Sequence, residues 1–190
     1  MLKHAFKEWA VICRALAEGR QAIILRKGGI AEQGGSFEVA QTRFWLFPTY
    51  LHQKADALKP EALRLLHAVE SERPPSGTVR LSHFAEVGGV YQLHDIVGAL
   101  KLDPLHLWSR ETVVARFEYR RPGLLVLPLR VFRVPEALEV PDLASYAGCK
   151  SWVELERDLP TAGATPVLDD DAFRDLMRTL DLLLQPTAFV

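Results

Sequence analysis

Leu124-Leu125-Val126-Leu127-Pro128-Leu129-Arg130-Val131-Phe132-Arg133-Val134 is the most strand-like run in the chain. Its apolar residues include several β-branched and aromatic ones, which fit a pleated, buried surface. Pro128 cannot donate to a ladder, so the strand must carry a bulge or lie at a sheet edge there. Working outward, Thr78 to Phe84 alternates, with Val79 and Leu81 on one face and Arg80 and Ser82 on the other. Val87-Gly88-Gly89-Val90 between these runs fits a tight hairpin or a bulge. Phe44 to Phe47 is a third strand, predicted to end at Pro48, and Gln21 to Leu25 a short buried fourth.

Helical signals lie among these strands without a regular βαβ alternation. Phe6, Trp9, Ala10, Cys13, Leu16 and Ala17 follow helical spacing, with Gly19 as the stop. Pro60 opens a helix whose inner stripe is Ala62, Leu63, Leu66 and Val69. Asp95 caps a short helix through Leu100. Residues 109–119 read equally as a helix capped by Ser109 or as an alternating strand. Ser151-Trp152-Val153-Glu154 has the capping-box pattern, which predicts a helix from that point. The last helix covers about 170–184, on the stripe Phe173, Leu176, Met177, Leu180, Leu183 and Leu184. The fold class is therefore α+β, a single domain with a mixed or mainly antiparallel sheet flanked by helices. Residues 1–158 are expected to form the core, 159–168 a linker, and 169–190 a C-terminal helix packed on that core.

Composition narrows the function classes. Net charge is −1, which argues against a strongly basic coat protein but leaves room for a local basic patch. The opening MLKHAFKEW lacks the uninterrupted apolar run of a signal peptide. No transmembrane run is present, so a cytoplasmic protein with no membrane partner is expected. The two cysteines, Cys13 and Cys149, do not make a disulfide framework. No histidines pair at metal-binding helical spacing and no CxxC occurs, so neither a metal nor a cofactor is expected.

Four phrases carry a resemblance. They are Leu25-Arg26-Lys27-Gly28-Gly29-Ile30, residues 44–53 (FWLFPTYLHQ), residues 129–134 (LRVFRV) and residues 146–155 (YAGCKSWVEL). Together they resemble a bacterial family, domain of unknown function 1802, from about residue 6 to 156. The resemblance implies membership and brings with it no reaction, cofactor or catalytic residue.

The chemistry must come from the residues. Arg26 and Lys27 precede Gly28 and Gly29 at the end of a buried strand, where open backbone N–H groups beside cations can hold a phosphate oxygen. A solvated hairpin turn is the plainer reading. Tyr50 and His52 follow an aromatic strand, in a loop position that often carries function. His52 is a candidate general base or anion ligand, against a structural capping role. Lys150, Ser151 and Trp152 sit where the predicted helix N-terminus attracts anions. Cys149 beside them is a candidate nucleophile. Interleaved cations and aromatics favour a nucleic-acid-binding or nucleic-acid-processing domain, with nucleic acid or another anionic ligand as partner. The alternatives are a non-catalytic interaction module and an enzyme acting on a small anionic metabolite. Whether the chain is an enzyme stays open at this point, as does its oligomeric state.

Overall fold

The computed structural model describes residues 1–27, 41–148 and 150–184. Among the described residues, eight strands form one sheet: β1 (Leu2–Trp9), β2 (Ile23–Arg26), β3 (Arg43–Thr49), β4 (Thr78–Val87), β5 (Tyr91–Leu93), β6 (Leu124–Pro141), β7 (Trp152–Leu159) and β8 (Thr165–Pro166). The path is β2-β6-β4-β3-β1-β7, with β5 and β8 also paired to β6. β1 and β3 run parallel and the other pairs antiparallel, so the sheet is mixed and the class is α+β. The helices are α1 (Ala10–Ala17), α2 (Leu63–Ser71), α3 (Ile96–Lys101), α4 (Arg110–Glu118) and α5 (Asp170–Leu184).

β6 is the centre of the sheet rather than an edge, and a bulge explains how it accommodates Pro128. Leu129 N–H donates to the Ala22 carbonyl at 2.8 Å, on the β2 side. The missing donor of Pro128 therefore faces β4 and β5. There, five residues (87 to 91) run against four of β6 (129 to 126), from the pair Val87↔Leu129 to the pair Tyr91↔Val126. The bulge lies in the partner strand at Gly88-Gly89, so the ladder needs no donor from Pro128. β4 and β5 thus form one bulged strand along β6. The same glycines seat α5: a Cβ on Gly88 would lie 2.7 Å from the Phe173 ring.

Three expectations are corrected. Phe6 and Trp9 belong to β1, and the helix starts only at Ala10. A strand flanked by two others, with apolar side chains on both faces, mimics helical spacing over these few positions. β3 continues through Pro48 to Thr49, because its pairing with β4 ends at Trp45 while the parallel register with β1 runs on to Trp9↔Thr49. The third is the capping box. Residues 152–159 are strand, with Val153 and Leu155 buried and Glu154 and Glu156 exposed, so no helix N-terminus stands at Lys150-Ser151. Ser109 and Asp95 do cap their helices, accepting from Thr112 N–H and Gly98 N–H, and residues 110–118 are helix. Ala62, Leu66 and Val69 are buried as the stripe of the second helix requires, while Leu63 is only half-buried and Leu65 lies inside.

Apolar side chains fill both faces of the sheet. Phe6, Phe44 and Leu46 join the larger core with α1, α2 and α4. Ala5, Trp45, Phe47, Phe84 and Tyr146 form the smaller one, where Trp45 Nε1 donates to the Leu2 carbonyl at 3.0 Å. Among the described residues, no helix is long and apolar enough to cross a membrane.

Burial leaves His106 and His83 neutral, each lowered to about 4; next in size, Lys59 acts on His106, and Arg133 on His83. Unfolded, both take a proton as pH falls below 6.5, whereas the folded protein resists until about pH 4. Stability therefore declines from pH 6.5 towards 4 and levels off below. Charging His106 in place, at 3% exposure, costs on the order of 3 kcal/mol. Urea denaturation between pH 4 and 7 should show this slope, and His106→Gln should flatten it. An unchanged slope in that variant assigns the effect elsewhere.

Candidate nucleic-acid interface at the sheet seam

The two end strands of the path, β2 and β7, are not paired through backbone among the described residues. Side chains bridge them. Arg26, at the last position of β2, donates through Nη2 to Ser151 Oγ at the entrance to β7. Its guanidinium lies over the Phe6 ring at 4.5 Å, and Nη1 stands 3.5 Å from Glu8 Oε2. The sheet curls until its ends meet, and a charged contact closes the seam.

Glu8 is the focus of this contact. It is only 4% exposed, and its other oxygen, Oε1, accepts from Trp9 N–H at 2.8 Å. Its main chain is held too, since the Glu8 carbonyl accepts from Thr49 Oγ1 at 3.1 Å. A second guanidinium stands nearby. Arg116 of α4 lies over Trp108 at 3.6 Å, and Trp108 packs edge-on against Trp9 at 4.8 Å. Burial lowers Arg116 to about 10; Glu8 favours its charge and Arg26 opposes it. Among the described residues, the buried carboxylate thus pairs with Arg26 and reaches Arg116 only through its field, leaving one positive charge in excess in a half-buried place.

The predicted site residues divide. Arg26, Ser151 and Trp152 do meet. Trp152 sets its edge against Phe6 at 4.9 Å and Phe44 at 5.0 Å, on the same aromatic floor. Lys27 turns away: its ammonium donates to the carbonyls of Phe117 (2.6 Å), Gly123 (2.8 Å) and Arg121, closing the C-terminal end of α4. This draws the α4–β6 turn to the seam, and with it Arg120, whose guanidinium covers the ring of half-exposed Tyr119 at 5.2 Å. Lys150 is exposed and donates to the Ser145 carbonyl. Lys7 holds the same loop, donating to the carbonyls of Tyr146 (2.8 Å) and Gly148 (2.9 Å).

Tyr50 and His52 lie apart from that contact. Tyr50 lines a cleft beneath α1 and α2, with Arg73 over its ring at 4.9 Å. His52 is exposed in the turn that follows, with a φ of 69°. Gly28, Gly29 and Cys149 fall outside the described residues. Among the described residues, no three His, Cys, Asp or Glu side chains gather as metal ligands would.

Sequence reading missed Glu8, and it counted Arg116 only as one of several cations upstream of β6. A carboxylate inside the apolar run from Ala5 to Ile12 was a usable signal, because a buried charge needs a partner. Arg116 gave none, since its meaning depends on Trp108 and on two other segments.

Among solved structures, ASCH from Zymomonas mobilis is similar in fold at 13% identity, covering 92% of this chain and 93% of that one, with a TM-score of 0.40. Two single-residue mutants of the same protein match at 13% and 14% identity, with TM-scores of 0.42 and 0.39. They cover 93% and 94% of this chain, and 94% and 98% of their own. No curated protein matches the chain. The model of the family described as Domain of unknown function (DUF1802) matches residues 5–179, and the chain belongs to that family.

Proposed function

We propose that this domain binds nucleic acid, with a single strand crossing the seam between β2 and β7. One observation carries the reading: Arg26, laid on the Phe6 ring, pairs with Glu8, while Arg116, laid on the Trp108 ring, feels only the field of the same carboxylate. A positive charge held in excess where water is partly excluded is most relieved by an anion, and a strand supplies phosphates in series. Around it stand the further parts such a ligand uses. Arg120, Arg121 and Lys150 are exposed cations, and half-exposed Tyr119 offers a ring face to a base.

The test is fluorescence anisotropy with labelled single-stranded RNA, single-stranded DNA and duplex, over a series of salt concentrations. Binding should weaken steeply with salt. Arg120→Gln/Arg121→Gln/Lys150→Gln alters only exposed side chains and should weaken every strand alike, lowering the salt slope by about one for each phosphate no longer neutralised. Arg26→Gln should weaken binding further, with the fold checked by circular dichroism. No binding at low salt, or equal binding by folded variants and parent, overturns the proposal.

A further inference from the structure

Lys27 follows Arg26 directly, but its side chain leaves the seam floor for the turn between α4 and β6. Its ammonium donates to the carbonyls of Phe117, Arg121 and Gly123, and stands 6.0 Å from the Phe117 ring. No carboxylate pairs with it among the described residues. Its charge meets the C-terminal end of α4, where helix carbonyls are left without partners.

The three carbonyls bracket a strained turn. Arg120 has a φ of 62°, in the left-handed region that residues other than glycine seldom adopt. Arg121 N–H donates to the Tyr119 carbonyl at 2.8 Å, so the chain doubles back over three residues centred on Arg120. A three-residue turn with a positive φ at its centre is the rare, strained form. Such strain persists only where the surroundings hold it. Here Tyr119 N–H donates to the Ala115 carbonyl and Gly123 N–H to the Phe117 carbonyl, each at 3.1 Å. Lys27 is the charged member of the set, tying Phe117 before the turn to Arg121 and Gly123 after it.

The turn carries three exposed charges, Glu118, Arg120 and Arg121, which sum to one positive charge. Neither arginine has a carboxylate partner among the described residues, and Arg120 lies on the half-exposed ring of Tyr119. Cations on a backbone that is already fixed bind a ligand more tightly, because less ordering accompanies binding. Lys27 itself is spent: an ammonium has three N–H donors, and three carbonyls take them.

We propose that Lys27 is a positioning residue of the seam: it locks the α4–β6 turn so that Arg120 and Arg121 stand ready for phosphates, and it touches no phosphate itself. This rests on the reading of the seam as a strand site and deepens it.

Two measurements test it, the first without ligand. Amide hydrogen exchange at Gly123 should be about tenfold faster in Lys27→Met, while core amides such as Val126 keep the parent's rates. In the second, anisotropy with the single-stranded oligonucleotide used at the seam should show binding about tenfold weaker, with the salt slope unchanged because no phosphate contact is lost. A slope lower by about one would make Lys27 a direct phosphate ligand and overturn the proposal. In an Arg120→Gln/Arg121→Gln background, Lys27→Met should cost less than about twofold, since it acts only through those two residues. A full further loss there overturns the proposal too. Lys27→Gln keeps an amide donor without the charge, and takes the same place in each comparison if circular dichroism shows Lys27→Met unfolded. Unchanged exchange at Gly123 removes the clamp, while strand binding by the parent leaves the seam reading standing. A parent that binds no strand removes the seam reading, and the role of Lys27 with it, even where exchange shows a clamp.

Discussion

Glu8→Gln should lower the unfolding free energy by about 3–5 kcal/mol, the scale of removing one partner from a buried ion pair. Glutamine keeps the size and one oxygen that can still accept from Trp9 N–H. What it removes is the charge. Arg26 and Arg116 would then face each other without the carboxylate, with Arg26 already opposing the charge on Arg116 in the parent. Two consequences distinguish this cause from general disruption. Adding Arg26→Gln to Glu8→Gln should recover part of the loss, because the repulsion goes with the second guanidinium. Anions should also stabilise Glu8→Gln more than the parent, since sulfate or an oligonucleotide takes the place of the missing carboxylate. Urea denaturation measures the first, and a thermal shift series with sulfate against chloride measures the second. A Glu8→Gln protein as stable as the parent would remove Glu8 from the centre of the seam. So would a double variant weaker than the single one.

Much of the architecture was readable because its causes are local. The run at 124–134 is strand in any neighbourhood, and the stripe from Phe173 to Leu184 is helical by spacing alone. Pro128 announced either a bulge or a sheet edge, and only the coordinates could show that a bulge in the partner strand accommodates it. Residues 109–119 were ambiguous by pattern, and the cap at Ser109 decided them: a hydroxyl accepting from Thr112 N–H stabilises the helix start and does nothing for a strand. The failures share a different cause. Phe6 to Trp9 and Ser151 to Glu154 both fit a helical rule over four residues, and both became strand by pairing with each other, as in Phe6↔Trp152. Neither segment could report that pairing alone. The candidate site was partly readable for the same reason. Arg26, Ser151 and Trp152 stood out by composition. The carboxylate and the second guanidinium that give them meaning come from residues 8 and 116, and no short window contains both.

Trp108→Ala should cost about 3–5 kcal/mol, the usual range for deleting a large buried aromatic. Trp108 is 1% exposed. Its neighbours cannot easily collapse into the gap, because backbone ties fix both sides. Lys59 N–H donates to the Leu107 carbonyl at 2.9 Å, and Ser109 N–H to the Ala57 carbonyl at 2.9 Å. The ring also has a second task, since the Arg116 guanidinium lies on its face and Trp9 on its edge. Alanine therefore removes packing and the platform together, whereas Trp108→Phe keeps a ring face and should lose less of both. The two effects can be read separately. Unfolding free energies rank the packing: parent, then phenylalanine, then alanine. Strand affinity, measured at a temperature where all three are folded, ranks the platform. If Arg116 acts at the seam only while held against a ring, phenylalanine should bind nearly as the parent does and alanine several-fold more weakly. Equal affinity in all three would show that Glu8 alone places the guanidinium and that the tryptophan serves the core only.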